Sequence, residues 1–127
     1  VLGQLKATVR RNYSSPPTHG EVVITQVLSD PELLALWQQE LAGMRERIKA
    51  MREGLHKVLN ERFQGQRDFG YFLTQRGMFS YTGLNAAQVD RLRDEFAVYL
   101  VRSGRMCMSG LSTKNVDDVA KAMAQVL

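Results

Sequence analysis

"SDPELLALWQQELAGMRERIKAMREGLHKVLNERF", residues 29–63, opens with a helix start signal and then keeps one period for nearly its whole length. Ser29 or Asp30 can cap the first turn, Pro31 is tolerated where no amide donor is needed, and Glu32 suits the positive end of the helix dipole. Leu34, Trp37, Leu41, Met44, Ile48, Met51, Leu55 and Val58 then recur at alternating steps of three and four. That is a heptad seam, and it predicts one helix of roughly 30 residues, from about Pro31 to Phe63. Gly43 and Gly54 lie off the seam, and each costs ~1 kcal/mol relative to alanine in a helix interior. A helix of this length in so short a chain reads as a spine joining two regions.

On the C-terminal side, "DFGYFLTQ" (68–75) and "GMFSYTG" (77–83) read as short strands with a turn at Arg76-Gly77. Asn85 and Gln88 have capping-box spacing, which predicts a helix over about 86–97. "VYLV" (98–101) and "RMCMS" (105–109) read as two more strands around a Ser103-Gly104 turn. Ser112 is the expected cap of a last helix, with Val116, Val119, Ala120, Met123 and Val126–Leu127 facing inward. On the N-terminal side, residues 1–11 look like the end of a helix, and "NYSSPPTHG" (12–20) breaks it at Pro16-Pro17. "EVVITQVLS" (21–29) fits a strand by its β-branched residues and a helix by the spacing of Val23, Val27 and Leu28. The expected class is α/β, α+β in character: a long helix, a few short strands and two further helices.

The chain has 127 residues, a hydrophobic fraction of 44%, a charged fraction of 24% and a formal net charge of +4. These are ordinary values for a globular domain, and a length of this order supports one core. The basic residues alternate with acidic ones, as in "MRERIKAMREGLHKVLNERF", so neither a nucleic-acid stripe nor a membrane partner is expected. No apolar run approaches the ~20 residues of a membrane span, and the first residues lack the pattern of a signal peptide. The absence of an initiator methionine permits the reading that the sequence is a piece of a longer protein. A single cysteine excludes an internal disulfide and suits a reducing, cytoplasmic setting.

Motifs for chemistry are few. His19 and His56 have no partners at metal-ligand spacing, and His56, off the seam, reads as a surface residue. Cys107, between Met106 and Met108, reads as a buried packing residue. There is no glycine-rich phosphate loop and no nucleophile elbow. Two arginines stand out. Arg10 ends the first helix ahead of the Asn-Tyr-Ser-Ser-Pro-Pro loop. Arg105 opens the apolar segment "VRSGRMCMSG" (101–110), where a buried guanidinium needs an anion, from a carboxylate of the chain or from a ligand. Each is either a plain surface arginine or a planar fork for a carboxylate.

The blocks "RRNYSSPPTHG", "TQRGMFSYTGL", "QVDRLRDEFAVYL" and "SGRMCMSGL" resemble, in collinear order over essentially the whole chain, the C-terminal third of aromatic-amino-acid aminotransferases. These are close relatives of bacterial aspartate aminotransferase, in fold type I of the pyridoxal-phosphate enzymes. The resemblance implies that residues 1–30 are the tail of a large cofactor-binding domain and residues 31–127 a small C-terminal domain beginning with the interdomain helix. It implies a homodimer with active sites at the subunit interface. It places Arg105 on the substrate α-carboxylate, Arg10 on the distal carboxylate in the partner's site, and Phe79 against the pocket. Ser15 stands where aspartate-restricted relatives carry asparagine, which favours the aromatic branch. The implied substrates are aromatic or dicarboxylic amino acids and 2-oxo acids such as 2-oxoglutarate. The family's Schiff-base lysine sits in a Ser-x-Ser-Lys context, and none of Lys6, Lys49, Lys57, Lys114 and Lys121 has it. This segment by itself is therefore expected neither to bind pyridoxal 5'-phosphate nor to transaminate. The rival readings are a non-catalytic helical oligomerisation module, with the seam from Leu34 to Val58 pairing chains, and a nucleic-acid binder, betrayed by steep salt dependence.

Overall fold

The computed structural model describes residues 1–127 in nine elements. They are α1 (Leu2–Tyr13), α2 (His19–Ser29), α3 (Pro31–Phe63), a single turn α4 (Tyr71–Thr74), β1 (Phe79–Tyr81), α5 (Ala86–Phe96), β2 (Arg105–Cys107), a 3-10 turn (Met108–Gly110) and α6 (Val116–Val126). The chain divides into two compact units, Val1–Leu41 and Ala42–Leu127. No helix is long and apolar enough to cross a membrane.

The first unit contains α1, α2 and the opening of α3, and no residue of it is buried. Segment 21–29, ambiguous by pattern, is helical. Asp30 is the cap of α3: its Oδ1 accepts from the backbone N–H groups of Glu32 (2.9 Å) and Leu33 (3.1 Å). The helix then runs over the span that the seam predicts. Leu5, Val9, Val22, Ile24, Trp37 and Leu41 remain exposed.

The second unit holds the core. Met51, Leu55 and Leu59 of α3 are buried with Phe69, Phe72, Leu84, Val89, Leu92, Met106, Met108, Leu111 and the inner face of α6. The expected seam departs from this set at both ends. Met44 is exposed, and Leu59 rather than Val58 is fully buried. A helix with 3.6 residues per turn drifts away from a strict heptad, so its inward stripe follows steps of four where no second helix imposes a supercoil. Gly54 has a packing reason: a Cβ there would lie 3.1 Å from Val116 Cγ2 at the start of α6.

Three expected elements differ. Segment 68–75 is not a strand, because Phe69 and Phe72, three apart, are both buried, a spacing that a helical turn satisfies and an alternating strand does not. Segment 98–101 is not a strand either: apart from an isolated bridge between Val101 and Arg105 it pairs with nothing, and β structure needs a neighbour. Asn115, not Ser112, stands at the N-cap position of the last helix, without a side-chain bond to the helix; its Oδ1 instead accepts from the Ser112 N–H at 2.7 Å and folds the preceding turn. The capping box of α5 forms as its spacing predicts, Asn85 and Gln88 each bonding the other's backbone N–H at 2.9 Å. Gln88 Nε2 also donates to the Val126 carbonyl (2.8 Å), tying α5 to the end of α6.

Candidate functional site

The sheet is a two-stranded antiparallel pair, with Phe79 opposite Cys107, Ser80 opposite Met106 and Tyr81 opposite Arg105. Strand periodicity sends Ser80 and Met106 into the core and turns Phe79, Tyr81, Arg105 and Cys107 outward. This corrects two expectations. Arg105 is exposed, not a buried guanidinium, because the inward position of its three-residue strand belongs to Met106. Cys107 is exposed for the same reason and does not pack in the core. His56, expected on the surface, is half-buried on α3.

Arg105 is nonetheless not loose. Its Cζ lies 4.9 Å from the centre of the Phe79 ring, a cation–π stack between diagonal neighbours on one sheet face. No carboxylate of the chain pairs with it. The contrast with Arg102, three residues earlier, is informative. Arg102 grips Asp90 with both arms, Nε to Oδ1 at 3.1 Å and Nη2 to Oδ2 at 2.8 Å. Arg91 and Arg93 are likewise taken by Glu95 and Asp94. Arg105 thus keeps its hydrogen-bonding edge available while an aromatic ring covers one of its faces.

The turn before Arg105 is tightly built. Gly104 has φ +82°, its N–H donates to the Val101 carbonyl at 2.8 Å, and its own carbonyl accepts from the Thr82 N–H (2.9 Å) and hydroxyl (2.8 Å). On the other strand, Gln75 acts as a substitute neighbour. Its amide donates to the Tyr81 carbonyl (3.2 Å) and accepts from the Tyr81 N–H (3.0 Å). The Tyr71 hydroxyl donates to the Thr82 carbonyl at 2.8 Å, and burial pushes that phenol above its ordinary pKa.

One residue of the site escaped sequence reasoning. Arg52 on α3 is 4% exposed and is the only buried ionisable side chain. It donates to the carbonyls of Phe72 (3.2 Å), Gly77 (2.7 Å) and Phe79 (3.1 Å) and to the Ser80 hydroxyl. Its signal was present: Ile48, Arg52, Leu55 and Leu59 follow steps of four, three and four, so a charge stands inside the apolar stripe.

Of the residues singled out from the sequence, the structure brings Arg105 and Phe79 together. Arg10 lies in the last turn of α1 and Ser15 in the bend that follows; both are exposed and belong to the first unit. A cleft of about 720 Å³ lies elsewhere in the second unit, lined by Val98, Leu100, Met106, Leu111, Val119 and Ala122 among others; neither Arg105 nor Phe79 lines it. The Cys107 thiol lies 3.0 Å from the Ser109 hydroxyl. That hydroxyl first, then the N–H groups of the 3-10 turn and Arg105, hold the thiol below its ordinary pKa.

Comparison with known proteins agrees with the resemblance. The family described as "Aminotransferase class I and II" matches residues 1–123. The aromatic-amino-acid aminotransferase of Escherichia coli (strain K12) is 63% identical over 127 residues, all of this chain and 32% of the relative. The aspartate aminotransferase of the same organism is 45% identical over the same length. Among solved structures, the aromatic-amino-acid aminotransferase from Burkholderia pseudomallei, covalently bound to pyridoxal phosphate, has a TM-score of 0.93 and 55% identity. It covers 99% of this chain and 31% of that one. The chain spans about a third of the length of these relatives. A family match over nearly every residue, a high identity and the same fold leave one conclusion: this chain belongs to the class I and II aminotransferases.

Proposed function

We propose that the chain is the C-terminal part of an aromatic-amino-acid aminotransferase, which transfers an amino group between aromatic or dicarboxylic amino acids and 2-oxo acids. Residues 1–30 would belong to its large domain and residues 31–127 to its small domain. The observation that carries this reading is Arg105: a guanidinium backed by an aromatic ring, with no carboxylate of its own chain, beside an Arg102 that has one. A planar fork kept free in this way suits a bidentate carboxylate. Arg105 would take the α-carboxylate of every substrate, with Phe79 as wall and support. Arg10 would reach the distal carboxylate in the partner's site of a homodimer, and Ser15 beside it favours the aromatic branch. A cytoplasmic location fits the single free cysteine. The non-catalytic module is not favoured by the family match.

Pyridoxal 5'-phosphate in the whole enzyme would supply the electron sink for transamination. The residues present here do not fit that group. Lys6, Lys49, Lys57, Lys114 and Lys121 are all exposed, whereas a Schiff-base lysine works from a desolvated pocket. We assign its binding to the remainder of the protein, and expect no turnover from the 127-residue chain purified free of host aminotransferases.

Steady-state kinetics of the full-length enzyme tests the arginines. Removing one member of a desolvated charge pair costs about 2–5 kcal/mol. Arg105→Ala should therefore lower kcat/KM for every amino acid, whereas Arg10→Ala should hurt aspartate and glutamate far more than phenylalanine and tyrosine. Equal losses across both substrate classes would remove Arg10 from its assigned role, and an unchanged kcat/KM in Arg105→Ala would remove Arg105.

A further inference from the structure

We propose that Arg52 is a positioning residue for the carboxylate fork, acting on Arg105 through the backbone of β1 and the ring of Phe79. The proposal rests on the reading of Arg105 given above. Arg52 and Arg105 form no contact with one another; the connection runs through a chain of bonds. The Nη1 of Arg52 holds the Phe72 carbonyl at α4 and the Ser80 hydroxyl in β1, while its Nη2 holds the carbonyls of Gly77 and Phe79. One planar group thereby joins the short helix, the turn and the strand. Gly77 sits at φ +82° in that turn, and the Met78 carbonyl accepts from the Met108 N–H at 2.7 Å. The backbone on both sides of Phe79 is thus held, and the Phe79 ring has Arg105 stacked on it at 4.9 Å.

The donor fork is the telling feature. No carboxylate pairs with Arg52, and burial, with a smaller contribution from Arg76, pulls its pKa below the ordinary arginine value. An apolar side chain of similar size would fill the same volume without burying a cation, but it would leave these acceptors without their donor. What it would lack is a rigid fork with donors pointing in fixed directions toward four acceptors. Lysine keeps the charge but offers a compact ammonium that cannot span both pairs of acceptors. Geometry, not charge, is what arginine supplies here.

The test is carried out in the full-length enzyme with Arg52→Lys, and with Ser80→Ala as a milder lesion of the same network. Misplacement of a positioned group by about 1 Å costs about a hundredfold, and a smaller shift costs less. Arg52→Lys should raise KM for amino-acid substrates by about tenfold while lowering kcat less than threefold, and Ser80→Ala should raise KM by a smaller factor. In an Arg105→Ala background, Arg52→Lys should raise KM no further. A second readout is NMR of the arginine-labelled full-length enzyme, where the ring-current shift of the Arg105 side-chain protons should shrink in Arg52→Lys and persist in Arg76→Lys. If Arg105→Ala raises KM but Arg52→Lys changes neither KM nor the ring-current shift, positioning by Arg52 is refuted while the role of Arg105 stands. If the shift shrinks but Arg105→Ala leaves KM unchanged, Arg52 does position Phe79 and the role of Arg105 is what fails. Additive KM increases in the double variant overturn the coupling.

Discussion

Gly104→Ala tests the construction of the turn that presents Arg105. The glycine has φ +82°, where an L-residue carries a steric penalty of about 1–2 kcal/mol. A Cβ there would also lie 2.6 Å from the Leu84 carbonyl oxygen, 0.8 Å short of ordinary van der Waals contact, with Thr82 Oγ1 at 3.4 Å and Leu84 N at 3.5 Å. The offending atom is backbone next to the Asn85 cap of α5, so no side-chain rotation relieves it. Forcing such an overlap into packed structure costs about 1–3 kcal/mol more. The expected loss is about 2–5 kcal/mol, a large part of the ~5–15 kcal/mol by which domains are stable. Urea unfolding followed by circular dichroism measures it, with Gly110→Ala as the control, since a Cβ at Gly110 meets nothing within 4 Å. Gly104→Ala matching Gly110→Ala to within about 0.5 kcal/mol, the usual span of harmless surface changes, would refute the reasoning.

The two glycines of α3 should behave differently on replacement by alanine. At Gly43 the added methyl meets open space, so the helix gains about 1 kcal/mol. At Gly54 it presses on Val116 Cγ2 at 3.1 Å, and the same gain should be largely or wholly cancelled in a urea titration; equal stabilisation at both positions would contradict the close approach of α6. Cys107 should be alkylated by iodoacetamide with a midpoint below the ordinary thiol value, because its thiolate form is favoured by Ser109, the turn amides and Arg105. Ser109→Ala removes the leading contribution and should move that midpoint upward, slowing alkylation at neutral pH; an unmoved midpoint would reject Ser109 as the cause.

Local signals explain which parts of the fold were readable in advance. The Asp30 cap, the run of α3 and the Asn85/Gln88 box are each decided within a few residues, where side chain and backbone meet at fixed offsets. The resemblance in blocks such as "SGRMCMSGL" was likewise enough to point to the family that the comparisons then showed.

What needed tertiary structure were matters of face and neighbour. Whether Phe69 and Phe72 belong to a strand or a turn depends on which core they enter, and whether 98–101 becomes a strand depends on a partner that the sequence of the segment does not encode. The exposure of Arg105 and Cys107 follows from the register that sends Met106 inward, since a slip of one residue would reverse every side chain of so short a strand. Arg52 carries the same lesson from the opposite side. A charge within an apolar stripe is visible in the sequence, but its acceptors, the carbonyls of Phe72, Gly77 and Phe79 with the Ser80 hydroxyl, are assembled only when α4 and β1 fold back across α3.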